Sequence, residues 1–385
     1  MTRQLPKSIV VTVALLVLGA AVGCTDSNDN SSTSTTTQPK RRPTTTTSSL
    51  APNGKTPTVF LVNIHAPSYD ALWSDTSKMT FLNSELKPGG VLLKNYFGIA
   101  GSQVANLVAQ ISGQGPNVAT ASNCLTLSPF VSLGPVAPGQ FAGNGCIFAK
   151  EVPSLASQFE QSEIPWRAYI ENFPANLTGC PIVPINQPDV SQVPDYTGLP
   201  VTAVPWMYFA QVDTDPNCGD HLVGLDRLLD DLAEPEPSVS FHYLSPSLCS
   251  SGHIANCSDG QDPLVRTDKW LKSWIPKILD SDAFADDAVL IITGDFTDDR
   301  SAADQCCAGT KPPGIPAEQQ PVVGGRSGAL IIDSRHHSGV DATPYNHYAT
   351  LCMIETLYGL ERLGYAADPL TQCPTSGTGG AGSPL

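Results

Sequence analysis

The chain is short of basic residues. Lys and Arg number 21 against 36 Asp and Glu, giving 385 residues a formal net charge of −15. Such a polyanion cannot release counterions from a phosphate backbone, and an anionic bilayer repels it; nucleic acid is therefore excluded as an electrostatic partner. The sequence also lacks any Cys-x-x-Cys pair, the usual spacing of a structural zinc site. No apolar run is long enough to cross a bilayer: the best, residues 9–22, is too short. There is no internal repeat and no second linker, so one principal domain is expected.

What is present at the start of the chain is a targeting pattern. Arg3 and Lys7 precede the apolar run, which ends in small residues. Ala21-Val22-Gly23-Cys24 resembles a lipobox, so residues 1–23 are expected to be a lipoprotein signal peptide and Cys24 the lipidated residue. An ordinary secretory signal with an incidental Cys is the alternative. Residues 24–57 are rich in Ser, Thr, Asn and Pro without apolar periodicity, the composition of a disordered tether. The folded domain is expected over 58–373, and a Gly-rich flexible tail over 374–385. The expected location is outside the cytoplasm, lipid-anchored on the outer face of a bacterial membrane or secreted.

Eleven cysteines fit an oxidising compartment. Setting Cys24 aside leaves Cys124, Cys146, Cys180, Cys218, Cys249, Cys257, Cys306, Cys307, Cys352 and Cys373, enough for five disulfides. Cys249–Cys257 closes the shortest plausible loop, with Cys124–Cys146 and Cys180–Cys218 the next natural pairs. Adjacent Cys306 and Cys307 are expected to take separate partners, since a vicinal disulfide strains the backbone.

From Thr58 onward, compact β-prone runs alternate with helical spacing. Strands are expected over 59–64, 91–96, 166–170, 239–244, 288–293 and 329–332. Helices are expected over 102–111, 153–161, 264–279 and 347–363, and the leucines of 222–232 recur at helical spacing. Buried strands alternating with helices predict an α/β fold, a central mainly parallel sheet with helices on both faces, stapled by disulfides. Ligands in such folds bind beyond the carboxyl ends of the strands.

Polar clusters fall at those ends: residues 63–70, 101–103, 247–253, Gly294-Asp295 and 345–348. The 101–103 cluster opens a helix after a Gly-containing loop, where free backbone N–H groups and the helix dipole favour a phosphoryl group. Singly, each candidate has a bland reading. Asp295 could cap a turn, His347 could bond locally at its helix start, and His253 could order the Cys249–Cys257 loop. His336-His337 reads as a surface pair. The joint placement at strand ends is what points to a site, in which carboxylates and imidazoles could converge on a divalent metal.

The order and spacing of several motifs resemble a bacterial secreted phosphoesterase family, the acid phosphatases and phospholipase-C-type enzymes of the alkaline-phosphatase-like superfamily. The resemblance runs over residues 59–365. It rests on Ser112-Gly113-Gln114-Gly115-Pro116-Asn117, Trp166-Arg167-Ala168-Tyr169, Cys218-Gly219-Asp220-His221, Gly324-Gly325-Arg326-Ser327-Gly328-Ala329 and Thr343-Pro344-Tyr345-Asn346-His347-Tyr348, with Leu248-Cys249 and Gly252-His253. It implies hydrolysis of phosphate esters, by a nucleophile at the helix start and metal ligands at strand ends. The departures fall on those positions. The family's nucleophile slot holds Gln103, with Ser102 one residue earlier. The two ligand slots after the first strand hold His65 and Ala66, and acidic slots hold Ser251 and Phe296. His253, Asp295 and His347 remain as implied ligands, with His65 a fourth.

An amide cannot be deprotonated to attack phosphorus, and three or four mixed ligands suit one zinc-like ion rather than two. The implied cofactor is one divalent metal, or none. Two functions stay open. One is a surface lipoprotein whose phosphoesterase-like domain is impaired or non-catalytic. The other is an active metal-dependent hydrolase using Ser102 or a metal-activated water. The partners implied are a small phosphate ester or phospholipid head group, and a membrane through a lipid on Cys24.

Overall fold

Residues 59–64 become strand β1 (Val59–Ile64), buried along its whole length. Val59 and Leu61 pack into one core, Phe60, Val62 and Ile64 into another. That is the two-residue alternation of a strand covered on both faces. The structure is a computed structural model and describes residues 56–174, 177, 186–187, 199–213, 215–234, 238–285, 287–299, 301 and 324–375. All of these belong to one compact unit that spans Thr46–Leu385.

The further strands are β2 (Val91–Leu93), β3 (Tyr96–Phe97), β4 (Val131–Val136), β5 (Gln140–Asn144), β6 (Trp166–Ile170) and β7 (Leu222–Gly224). They continue with β8 (Phe241–Ser245), β9 (Val289–Gly294), β10 (Ala329–Asp333), β11 (Gly339–Asp341) and β12 (Tyr345–Asn346). The α-helices are α1 (Tyr69–Trp73), α2 (Gln103–Ser112), α3 (Val118–Ala121), α4 (Leu155–Gln161) and α5 (Ala210–Asp213). After them come α6 (Cys218–His221), α7 (Arg227–Leu232), α8 (Pro263–Leu279) and α9 (His347–Tyr358).

Eight strands form one sheet in the order β11-β2-β10-β9-β1-β8-β6-β7. The run from β9 to β7 is parallel throughout. β10 is antiparallel to both β9 and β2, and β11 is parallel to β2, so β10 alone opposes the other seven. Apolar residues of α2, α4 and α9 fill the core on one face, and those of α1, α7 and α8 fill the other. This is the expected mainly parallel α/β sheet with helices on both sides.

Three elements differ from the sequence reading. The run 91–96 divides into β2 of the large sheet and β3, which pairs with β12 in a separate one. The leucines of 222–232 split between edge strand β7 and short helix α7, because Leu222 pairs with Ala168 of β6 before the chain turns. Helix α9 ends at Tyr358 rather than continuing to Leu363, because Gly359 adopts a left-handed cap with φ 66°. The Cys124–Cys146 and Cys249–Cys257 disulfides are present. A third, Cys352–Cys373, fastens α9 to the C-terminal segment. Cys218 is also disulfide-bonded. Cys24, Cys180, Cys306 and Cys307 lie outside the described residues, as do the signal, nearly all of the tether and residues 376–385. Among the described residues no helix is long and apolar enough to cross a membrane.

Candidate functional site

The register of β1 on β9 places Ile64 opposite Gly294, so His65 and Asp295 leave the sheet side by side at its carboxyl edge. The Asp295 amide donates to the Ile64 carbonyl at 3.0 Å. The His65 amide donates to the Ser251 carbonyl at 2.8 Å, which draws in the loop after β8. That approach needs a glycine: Gly252 has φ +94°, and a Cβ there would sit 2.5 Å from the His65 carbonyl oxygen. His253 follows directly.

Three side chains then meet. The fully buried Asp295 has Oδ1 3.2 Å from His65 Nδ1 and Oδ2 2.6 Å from His253 Nε2. The two imidazoles stack with centroids 4.7 Å apart, and the Phe296 ring lies 4.6 Å from that of His65. The Phe296 amide donates to Asp295 Oδ1 at 2.8 Å. The histidines keep only 12% and 11% of their side-chain surface exposed.

The hydrogen bonds assign the protons. His253 Nδ1 faces two groups able to donate, the Ser251 hydroxyl at 2.9 Å and the Gln103 amide nitrogen at 3.4 Å. A ring that accepts at Nδ1 and donates from Nε2 to Asp295 is neutral. Burial lowers the pKa of His253, and the Asp295 charge offsets this only in part. Burial pulls His65 the same way, but the hydrogen bond and charge of Asp295, with Asp298 behind it, leave its pKa raised. Burial opposes the charge on Asp295, yet the two histidines hold its carboxyl well below the usual range.

Helix α2 supplies the fourth wall. Its N-cap is Ser102 and its first residue is Gln103. Asn106 fixes the preceding loop by accepting from the Ile99 amide at 2.7 Å while donating to the Ala100 and Ser102 carbonyls. The Ser102 hydroxyl donates to the Thr120 carbonyl at 2.8 Å, so it is engaged with helix α3 and not with the histidines. His347 sits behind the cluster. Its Nε2 is 2.6 Å from the Asp295 backbone carbonyl and its Nδ1 is 3.1 Å from the Tyr96 hydroxyl. Burial pushes its pKa down to about 4. Ala66 is buried in the apolar core and offers no ligand atom.

His65, His253 and Asp295 thus come together as a group able to hold a cation, with His347 engaged just outside it. Two imidazoles and one carboxylate suit a single zinc-type ion with an open position. The 2.6 Å contact between His253 and Asp295 is a hydrogen bond, and it would have to open to admit an ion. The Ser251 and Phe296 side chains offer no carboxylate.

Sequence reasoning missed the layer beneath. Asn63 donates to Gln110 at 2.9 Å, and Gln110 donates to Thr293 at 3.3 Å, joining β1, α2 and β9 in one buried network. The Ser112–Asn117 motif is architectural. Gly113 closes α2 with φ 68°, Gln114 bonds the Gly139 carbonyl, and Asn117 caps α3. The half-exposed His337 ring bonds the buried Asp333 at 2.9 Å.

No family model matches the chain, and no curated protein matches it. Among solved structures it is similar to a protein in the alkaline phosphatase superfamily from Vibrio parahaemolyticus, at 11% identity and TM-score 0.42, covering 82% of this chain and 70% of that one. It is also similar to the soluble domain of lipooligosaccharide phosphoethanolamine transferase A from Neisseria meningitidis, at 12% identity and TM-score 0.42, covering 85% and 96%. A third likeness is to the C-terminal periplasmic domain of EcEptC from Escherichia coli in complex with Zn, at 11% identity and TM-score 0.40, covering 81% and 85%. These are likenesses of fold and assign no residue a role.

Proposed function

We propose that this is an exported, lipid-anchored protein whose phosphoesterase-like domain binds a phosphate ester without hydrolysing it. One observation carries the reading: Gln103, which the resemblance sets at the nucleophile slot, turns its amide to His253, while the neighbouring Ser102 hydroxyl is spent on the Thr120 carbonyl. No hydroxyl is therefore aimed at the histidine–aspartate cluster from the start of α2. The N-terminus of α2, the Gln103 amide and the His65 ring offer an anion hydrogen-bond donors and positive potential. If the His65–His253–Asp295 group takes up one divalent ion, that ion would add electrostatic attraction for a phosphoryl oxygen. The ligand class is a small phosphate ester or a phospholipid head group, with the membrane reached through Cys24.

The test is a restoration. The triple variant Gln103→Ser/Ser251→Asp/Phe296→Glu should hydrolyse an aryl phosphate ester in the presence of zinc, where the natural chain shows no turnover. Turnover by the natural chain above a His253→Ala/Asp295→Ala control would overturn the reading and favour the active single-metal hydrolase.

A further inference from the structure

We propose a second cation site, separate from the one above, formed by Glu160, Asp215 and His221 beside the edge strand of the sheet. Glu160 is in the last turn of α4. Asp215 follows α5, and His221 ends α6, directly before β7. β7 is the outermost strand on its side. The three ligand atoms lie within 4.8 Å of one another.

The imidazole geometry selects a cation. His221 Nδ1 is 3.0 Å from the Trp166 backbone carbonyl, which can only accept, so Nδ1 carries hydrogen. Nε2 then faces Glu160 Oε1 at 3.2 Å and Asp215 Oδ2 at 4.0 Å, and ionised carboxylates also only accept. The gap between Nε2 and these oxygens must hold positive charge, either a proton on the ring or a metal ion. The spacing admits the ion. Donors bound at about 2.0–2.1 Å around a tetrahedral ion lie roughly 3.4 Å from each other. The 3.2 and 4.0 Å separations bracket that value. The 2.6 Å contact between His253 and Asp295 falls well short of it.

Each ligand is also held from behind, as metal ligands usually are. The His221 ring stacks on Trp166 with centroids 4.4 Å apart and planes 5° from parallel. The Trp166 indole N–H donates to Glu160 Oε1 at 2.9 Å. Asp215 Oδ1 accepts from the Asn217 amide at 2.9 Å, which turns Oδ2 toward His221. Two carboxylates balance a divalent charge, and one imidazole with two oxygens is a donor set for a zinc-type ion. Glu160 keeps 52% of its side-chain surface exposed, so the site opens to solvent and leaves room for water as a further ligand. Bound there, the ion would tie α4 to the segment that carries α6, fixing the edge of the sheet rather than taking part in chemistry at Asp295.

The test uses the full chain with zinc alone. Equilibrium dialysis followed by metal analysis should show one equivalent of zinc that is lost in His221→Ala. Glu160→Gln, a change at a half-exposed side chain, should weaken the same equivalent at least tenfold. Zinc should raise the melting temperature of the natural chain more than that of either variant. Zinc content and thermal shift unchanged by both substitutions would overturn the proposal. So would a natural chain that binds no zinc, leaving His221 as an ordinary ion-pair partner. Neither result bears on the restoration experiment at Gln103.

Discussion

Gln103 and Ser251 share one consequence. Both face His253 Nδ1: the Gln103 amide nitrogen can only donate there, and the Ser251 hydroxyl, which also reaches the Leu248 carbonyl, can donate or accept. Two positions that read in the sequence as separate departures from the resemblance meet in the structure at the same atom. The cluster closes on itself: the Asp295 oxygens accept from His65, His253 and the Phe296 amide, and Asp295 is fully buried. A buried carboxylate satisfied this completely contributes to folding, and removing one partner from such a set typically costs about 3–5 kcal/mol. Asp295→Asn is therefore expected to destabilise the metal-free protein by about 3 kcal/mol, seen as a lower urea midpoint at unchanged m-value. A metal-free variant that is instead more stable would mean that the three groups are strained against each other and kept for a ligand.

At the scale of elements, the site depends on how α2 is terminated as much as on how it begins. Gly113 has φ 68°, and a Cβ on it would lie 2.3 Å from the Leu363 carbonyl oxygen. Gly113→Ala should cost more than about 1 kcal/mol, because the left-handed conformation and the contact with residue 363 both oppose it. Gly89→Ala, where a Cβ meets nothing within 4 Å, should change stability by less than about 0.5 kcal/mol. Denaturant titration of the two variants gives the comparison. Elements of this kind were legible in advance where the chain speaks locally. The uninterrupted apolar runs at 59–64 and 288–293 are strands, and the Gly after residue 112 ends a helix. The strand ends also located His65, His253 and Asp295. What was not legible depends on partners far apart in sequence. Nothing near His347 announces that Tyr96 and the Asp295 carbonyl will occupy its two nitrogens. Nothing near Ser102 announces Thr120, and the leucines at 222–232 match a helix until β6 pairs with the first of them.

At the scale of the whole molecule, stability should depend on pH through groups remote from the site as well as within it. His242 is stacked on Phe60, with Nε2 donating to the Val239 carbonyl at 3.1 Å and Nδ1 3.0 Å from the Tyr169 hydroxyl. Burial pushes its pKa from 6.5 down to about 3, so the unfolded chain takes a proton there that the folded one refuses. Folding stability is therefore lost as pH falls from 6.5 toward 3. His347, pushed from 6.5 to about 4, adds to that loss. Glu355 in α9 works in the opposite direction. Its carboxyl is fully buried, accepts from the Leu363 amide at 2.8 Å and lies 3.6 Å from Arg362. Burial dominates there, lifting its pKa from 4.5 to about 8, so the folded chain holds a proton that the unfolded one has released. That group costs stability as pH rises from 4.5 toward 8. Between pH 4.5 and 6.5 the slopes of Glu355 and His242 oppose each other, whereas above 6.5 the Glu355 slope is no longer offset by His242. Glu355→Gln keeps an oxygen for the Leu363 amide and removes the titration. It is expected to raise stability at pH 8 relative to pH 6.5 by about 1–2 kcal/mol compared with the natural chain. Below pH 4.5 it should leave the acid limb unchanged, because that limb belongs to the histidines and to Asp295. Urea midpoints measured across pH 4–9 would read both limbs at once. An alkaline slope that survives Glu355→Gln would place the titrating group elsewhere, with His65, whose raised pKa gives the same sign of slope, the first to substitute.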